Sequence, residues 1–385
     1  MTKTFAADKR PRYELLDGLR GVAAVLVIWY HFFEAFATSP TDQMMNHGYL
    51  AVDFFFVLSG FVLGYAYDSR WQQGIMTPQK FMLRRLIRLQ PMVVLSVALG
   101  AVAYILQGSV RWDGTPVPVP MLITALILGL VLIPVLPGSA ADVRGNGEMF
   151  PLNGPSWSLF FEYIGSILYA VILHRMSVRS LRAIVILSGI GLACCVIGNL
   201  SGAYHSGMGW SLAGWGFAGG FLRLSFSFSA GLLVSRTFRP RHIRGAFWIC
   251  AAVMTAVMAC PYAGGDGPSI ANGIYDVVCT LLIFPALVYI GACGNTSDTF
   301  STGICRFLGE ISYPVYIIHY PVMYLFYAWI WAHGYTFGTT WPVCAVLFAG
   351  IILMAWSALR LYDIPVRRYL GSKLSGSSKA SIASA

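Results

Sequence analysis

The sequence predicts an all-α protein threaded many times through a membrane, and three observations carry that prediction. Hydrophobic residues fill 57% of the 385 positions and charged residues 11%, with a mean hydropathy of +0.67. Soluble domains carry about 25% charged residues, so a globular soluble chain is excluded. The apolar residues are gathered into eleven runs, most of them long enough for a bilayer-crossing helix. The basic residues collect between the runs, so the net charge of +10 reads as positive-inside bias rather than as a nucleic-acid surface. The 11 Trp and 20 Tyr suit interfacial belts and contacts with membrane lipids.

Taken in order, residues 1–14 carry Lys3, Lys9, Arg10 and Arg12 and form a cytoplasmic N-terminal segment. The first run, Leu15 to Glu34, reads LLDGLRGVAAVLVIWYHFFE and leads outward. Ala35-Phe36-Ala37 looks like a signal-peptide cleavage site, but the run before it is long and carries charges. The second run, about 48–67, returns inward with Asp53 near its outer end and Ser59-Gly60 at its middle. Lys80, Arg84, Arg85 and Arg88 mark the next loop as cytoplasmic. Further runs follow at 91–107, 121–137, 156–173, 183–200, 214–234, 245–261, 271–292, 310–331 and 341–362. Basic loops recur at Arg175–Arg182, at Arg236–Arg244 and after Arg360, with Arg367, Arg368, Lys373 and Lys379.

Both termini are basic, so the number of crossings should be even. The expectation is therefore about ten transmembrane helices plus one irregular or re-entrant segment between Arg88 and Arg175. The Pro-broken run 121–137 and the stretch around Pro151–Trp157 are the candidates for that segment. The membrane domain spans 15–370, and the polar tail 371–385 is expected to stay disordered in the cytoplasm. The eight cysteines lie mostly within apolar runs with no metal-ligand spacing, so they read as small core residues and no metal is expected.

The chemistry is concentrated in the first run. Arg20 and His31 are eleven positions apart, three helical turns, so they share a face about 16 Å apart along the axis. Asp17 precedes Arg20 by one turn and Glu34 follows His31 by one turn. Ionisable groups at bilayer depth face cavities and carry roles, although a basic flank with one interfacial histidine would leave the same trace. Arg84-Arg85-x-x-Arg88 is either a topology signal or a clamp for an anionic cytosolic ligand, since arginine grips phosphate bidentately. In NGPSWSLFFEY, residues 153–163, Ser158 and Glu162 lie one turn apart, and Trp157 is an interface anchor or a site residue. In GEISYPVYIIHYP, residues 309–321, Glu310 suits a helix start and His319 lies deeper, structural or cavity-lining. Arg360, Asp363 and Arg367 read as a salt-bridged stop to the final helix.

A membrane histidine flanked by acid and arginine, with a phosphate clamp on the cytosolic side, suits transfer of a group from coenzyme A. Neutral imidazole takes the proton of an attacking hydroxyl, and Glu34 or Asp17 would hold its tautomer. A proton-coupled transporter or flippase would use the same residue types.

LLDGLRGVAAVLVIWYH, VDFFFVLSGFVL, RRLIRLQP, LNGPSWSLFFEY, GEISYPVYIIH and YDIPVRRYL together resemble the acyltransferase-3 integral-membrane acyltransferases. They stand in that family's order over almost the whole chain. The resemblance implies transfer of an acyl group, usually acetyl from acetyl-CoA, to a hydroxyl of a cell-surface or lipid-linked saccharide. It implies the bacterial cytoplasmic (inner) membrane, and it leaves a small metabolite such as a macrolide as an alternative acceptor. The family's basic-residue-x10-histidine motif falls on Arg20 and His31, and its second-helix motif on Phe55–Phe61. Its RxxR motif falls on Arg85 and Arg88, and its WSLxxE-type motif on Trp157, Ser158 and Glu162. Gln90 stands where a tyrosine often precedes the proline. The C-terminal extracytoplasmic hydrolase-like domain of some members has no counterpart, which implies direct transfer or a separate extracytoplasmic partner. The expected catalytic set is His31, Arg20, Glu162 and Asp17. Arg84, Arg85 and Arg88 are expected to hold acetyl-CoA, and Ser59, Trp157, Ser158 and His319 to meet the acceptor.

Overall fold

A computed structural model describes residues 13–239, 241, 243–265, 267–294 and 298–383, with side chains as far as Lys373. Lys3, Lys9, Arg10, Arg12 and the side chain of Lys379 lie outside the described residues. The described residues build twelve α-helices. These are α1 (Glu14–Glu34), α2 (Ala51–Gln72), α3 (Pro78–Leu106), α4 (Val119–Leu130), α5 (Ser156–Val171) and α6 (Val178–Ile197). They continue with α7 (Gly216–Thr237), α8 (Ala246–Ala259), α9 (Ile270–Cys293), α10 (Thr299–His333), α11 (Phe337–Ala358) and α12 (Ile364–Ala383). A wide five-residue turn at Cys279–Ile283 interrupts α9, and a second at Leu359–Asp363 joins α11 to α12.

Among the described residues eight helices are long and apolar enough to cross a membrane, and Val119–Leu130 and Ala246–Ala259 are shorter apolar helices. The sequence-based expectation of an all-α polytopic membrane protein holds. The irregular segment also falls between Arg88 and Arg175. Helix α4 has 12 residues and so rises only about 18 Å, well short of a hydrocarbon core of about 30 Å. Residues 131–155 after it form no helix.

Side chains satisfy the freed backbone of that stretch, as burial requires. Tyr104 donates to the Val143 carbonyl at 2.8 Å, and Arg144 Nε to the Pro151 carbonyl at 2.6 Å. Asn153 Nδ2 donates to Ser96 Oγ at 2.8 Å and to the Ile317 carbonyl at 3.1 Å, which ties the segment to α3 and α10. The backbone is helical from Ile364 to Ala383, past Gly371.

Two close helix pairs frame the interior. A Cβ at Gly21 of α1 would stand 2.4 Å from the Leu308 carbonyl oxygen of α10. A Cβ at Gly60 of α2 would stand 2.0 Å from the Phe228 carbonyl oxygen of α7, and one at Gly231 of α7 would stand 1.8 Å from the Val57 carbonyl oxygen. Glycine lets these backbones touch, and van der Waals contact then stabilises crossings that have no hydrophobic drive inside lipid.

Candidate active site

Two cavities lie along α1, one beside Arg20 and one beside His31. The first, of about 710 Å³, is lined from α1, α2, α3, α5, α10, the wide turn at Leu359–Asp363 and the start of α12. Arg20 donates through Nε to Ser312 Oγ at 2.7 Å and through Nη2 to the Gly309 carbonyl at 2.9 Å, with Asp17 Oδ1 at 3.4 Å. Its side chain is therefore fixed between α1 and α10. Arg85 forms a close ion pair with Glu162, which also accepts from Ser59 Oγ at 3.1 Å. That network joins α2, α3 and α5. Arg367 and Asp363 pair at 2.7 Å, while Arg70 and Arg88 line the same space. Five arginines thus face one space, and guanidinium groups are the side chains best suited to grip phosphate.

The second cavity, of about 470 Å³, opens around His31. His31 Nδ1 lies 2.7 Å from Glu34 Oε2, and the Tyr327 hydroxyl donates to the same oxygen at 2.6 Å. A carboxylate only accepts, so Nδ1 carries a proton, and in the neutral imidazole it is Nε2 that keeps the lone pair. Among the described residues Nε2 has no protein partner. The imidazole stacks on His319, ring centroids 5.2 Å apart, and meets Tyr320 edge-on at 4.7 Å. Its orientation is thus set from two sides before any ligand arrives.

Trp112, Trp157, Trp210, Trp331 and six tyrosines complete the wall. Arg223 stands behind Trp157, its guanidinium 5.3 Å from the ring centroid. Its donors are consumed by Asp53 at 2.7 Å, the Met208 carbonyl at 2.6 Å and the Tyr49 carbonyl at 2.9 Å. Glu148 accepts from Tyr324 and Asn146, and burial pushes its carboxyl above the usual carboxylate range. Burial, reinforced by the Arg223 charge, pushes His205 at the rim down to about 4, so it is neutral at physiological pH.

The cavities meet at Tyr316, which lines both. Ser158 Oγ donates to the Pro155 carbonyl at 3.0 Å, so the Tyr316 hydroxyl, 2.7 Å away, donates to Ser158.

The residues singled out by sequence therefore separate into two groups. Arg20, Asp17, Ser59, Arg85, Arg88, Ser158 and Glu162 line the arginine cavity, and His31 and Trp157 line the aromatic one. Asp17 stands beside Arg20, so Glu34 is the acid that holds the His31 tautomer. Arg84 is exposed and does not line the arginine cavity. His319 is fully buried, donates through Nδ1 to the Val315 carbonyl at 3.1 Å and lines neither cavity, so it supports His31 from behind.

Sequence reasoning missed Arg223, Tyr316, Tyr327 and Glu148. Arg223 had a legible signal, a lone arginine inside the apolar run GGFLRLSFSFSAGLL. Nothing local distinguishes the other three. Among the described residues no three His, Cys, Asp or Glu side chains converge as metal ligands would.

The acyltransferase domain family matches residues 13–359. Protein 2 in the picA locus of Rhizobium radiobacter is 38% identical over 168 residues, 41% of this chain and 81% of that protein. A Staphylococcus aureus (strain COL) protein provisionally named an O-acetyltransferase is 35% identical over 109 residues, 28% of this chain and 17% of that protein. A Komagataeibacter xylinus protein provisionally named a membrane-bound transacylase is 35% identical over 95 residues, 24% of this chain and 21% of that protein. The alignment thus takes in about a fifth of the length of these last two relatives. No solved structure matches the chain.

Proposed function

The chain belongs to the acyltransferase domain family, and on that premise we propose an O-acyltransferase that moves an acetyl group from acetyl-CoA to a saccharide hydroxyl. The observation that carries the proposal is the meeting of two unlike cavities at Tyr316, with a free imidazole nitrogen in one and arginines in the other. Coenzyme A is a polyanion with its thioester at the end of a flexible arm. Arg85 and Arg88 would hold its phosphates, and the arm would bring the thioester to the junction at Ser158 and Tyr316. The acceptor would lie in the aromatic cavity, where flat rings suit the apolar faces of a sugar and Glu148, Asn146 and the tyrosines suit its hydroxyls.

His31 Nε2 takes the acceptor's hydroxyl proton as the oxygen attacks the thioester carbonyl. A C–O bond forms, the C–S bond breaks, and the proton passes from the imidazolium to the departing thiolate. Glu34 stabilises the imidazolium between those two moments, and Tyr327 keeps Glu34 in place. Glu162 has a positioning role, since its carboxylate aims Arg85 rather than touching the His31 site. Direct transfer needs no covalent enzyme intermediate.

Membrane vesicles containing the protein, supplied with isotope-labelled acetyl-CoA, test this reading. The expected result is labelled acetyl ester on glycan, found by mass spectrometry and absent when the gene is deleted. Intact acetyl-CoA alongside transported solute would contradict acyl transfer and favour a transporter. Label on a small metabolite would replace the acceptor while keeping the reaction.

A further inference from the structure

The five arginines of the arginine cavity fall into two classes. Arg20, Arg85 and Arg367 each face a carboxylate, Asp17, Glu162 and Asp363 in turn. Arg70 and Arg88 have no carboxylate within ion-pair distance among the described residues, so their charge is available to a ligand. The guanidinium of Arg70 rests over the Tyr67 ring, 5.5 Å from its centroid, which holds the fork without consuming its donors.

These two free cations stand at different depths. Ser59, on the same helix as Arg70, reaches Glu162 and so marks the level of the Arg85–Glu162 pair. Eleven residues of α2 separate Ser59 from Arg70, about 16 Å along the axis towards the end of the helix at Gln72. Arg88 lies one turn from Arg85 on α3, hence near the deep level. The cavity therefore offers an outer and an inner anion site.

Coenzyme A carries phosphate at two places. The pyrophosphate lies part-way along the molecule, and the ribose 3′-phosphate lies at the nucleotide end, remote from the thioester. With the thioester at Tyr316, the pyrophosphate falls to the inner arginines and the nucleotide end to the mouth. We propose that Arg70 binds the 3′-phosphate and makes this protein select coenzyme A thioesters over their 3′-dephospho counterparts. The proposal rests on the donor reading above and goes beyond it, because that reading needs only some anionic carrier.

Affinities of the purified full chain for acetyl-CoA and for acetyl-3′-dephospho-CoA test it. The wild-type protein should prefer acetyl-CoA by about tenfold or more, the worth of one charge-assisted phosphate contact. Arg70→Ala should bring that ratio close to one by weakening acetyl-CoA alone. Arg88→Ala should weaken both thioesters by the same factor and keep the ratio. Arg70→Lys, which retains a charge but not the fork, should give an intermediate ratio and serves if the alanine variant does not fold. An unchanged ratio in Arg70→Ala or Arg70→Lys, or equal binding of both thioesters by wild type, overturns the proposal and leaves Arg70 a charge at the membrane edge. Failure of wild type to bind either thioester overturns the donor reading, and this proposal falls with it.

Discussion

The arginine cavity and the aromatic cavity lie at the two ends of one helix, and they treat charge in opposite ways. Around Arg20 the carboxylates are fewer than the guanidinium groups, so positive charge is left over for an anion. Around His31 each charged side chain already has partners: Arg223 has Asp53 and two carbonyls, Glu34 has His31 and Tyr327, and Glu148 has Tyr324 and Asn146. What the aromatic cavity leaves available is flat apolar surface, the polar tips of its tyrosines, Asn146 and Glu148, and the Nε2 atom of His31. The difference teaches how one helix borders two cavities of opposite character. On the proposed reading, the site for a polyanion keeps cations unpaired, and the site for a neutral polyol pairs its ions and exposes rings.

The comparison breaks most visibly if its paired end is unpaired. Asp53→Ala strands the Arg223 charge at a fully buried position, which should cost about 3–5 kcal/mol of stability. A thermal melt in detergent reads it, and an unchanged melting temperature would mean that the Asp53–Arg223 pair does not hold the aromatic wall. At the arginine end the expected loss is in binding. Arg88→Ala should weaken acetyl-CoA by about 1.5–3 kcal/mol, measured by calorimetry, with the melting temperature near wild type.

Glu162→Gln sharpens the comparison through its sign. The amide oxygen still accepts from Arg85 and Ser59, while one negative charge leaves the neighbourhood of a polyanion. Donor affinity should therefore rise, by on the order of 1 kcal/mol, with transfer retained. A loss of transfer of ~100-fold or more at normal affinity would instead make Glu162 an acid–base group. The smallest effect belongs to the exposed rim. Arg360→Ala breaks its 3.0 Å pair with Glu310, and stability and donor affinity should each move by less than about 1 kcal/mol.

Much of this division is legible in the sequence. Apolar run length is a local property, so the helices followed directly, and charge parity located the irregular stretch between Arg88 and Arg175. Helical spacing joined Arg20 to the His31 stripe and left Glu34 one turn from the imidazole. What stayed hidden depends on contacts between distant segments. The form of residues 131–155 is set by Arg144, Asn153 and Tyr104 reaching across the fold, and no local pattern encodes those partners. Arg84 and Arg85 are adjacent and alike in sequence, and only packing against α5 decides which one meets Glu162. His319 looked like a cavity residue because its burial behind His31 is a tertiary fact. Arg223 was missed although its signal is local, a single arginine in an apolar helix.

The claim at the centre is that donor binding and proton removal are done at opposite ends of α1, the second by His31 Nε2. His31→Gln keeps a hydrogen-bonding side chain of similar reach but gives it no nitrogen that takes up a proton. Acetyl-CoA affinity and acetyl transfer to glycan, measured on the same preparation of this variant, test the claim together. Affinity should equal that of wild type while transfer falls by about 10²–10⁴-fold. Transfer near the wild-type rate, or a loss of affinity as large as the loss of transfer, would contradict it.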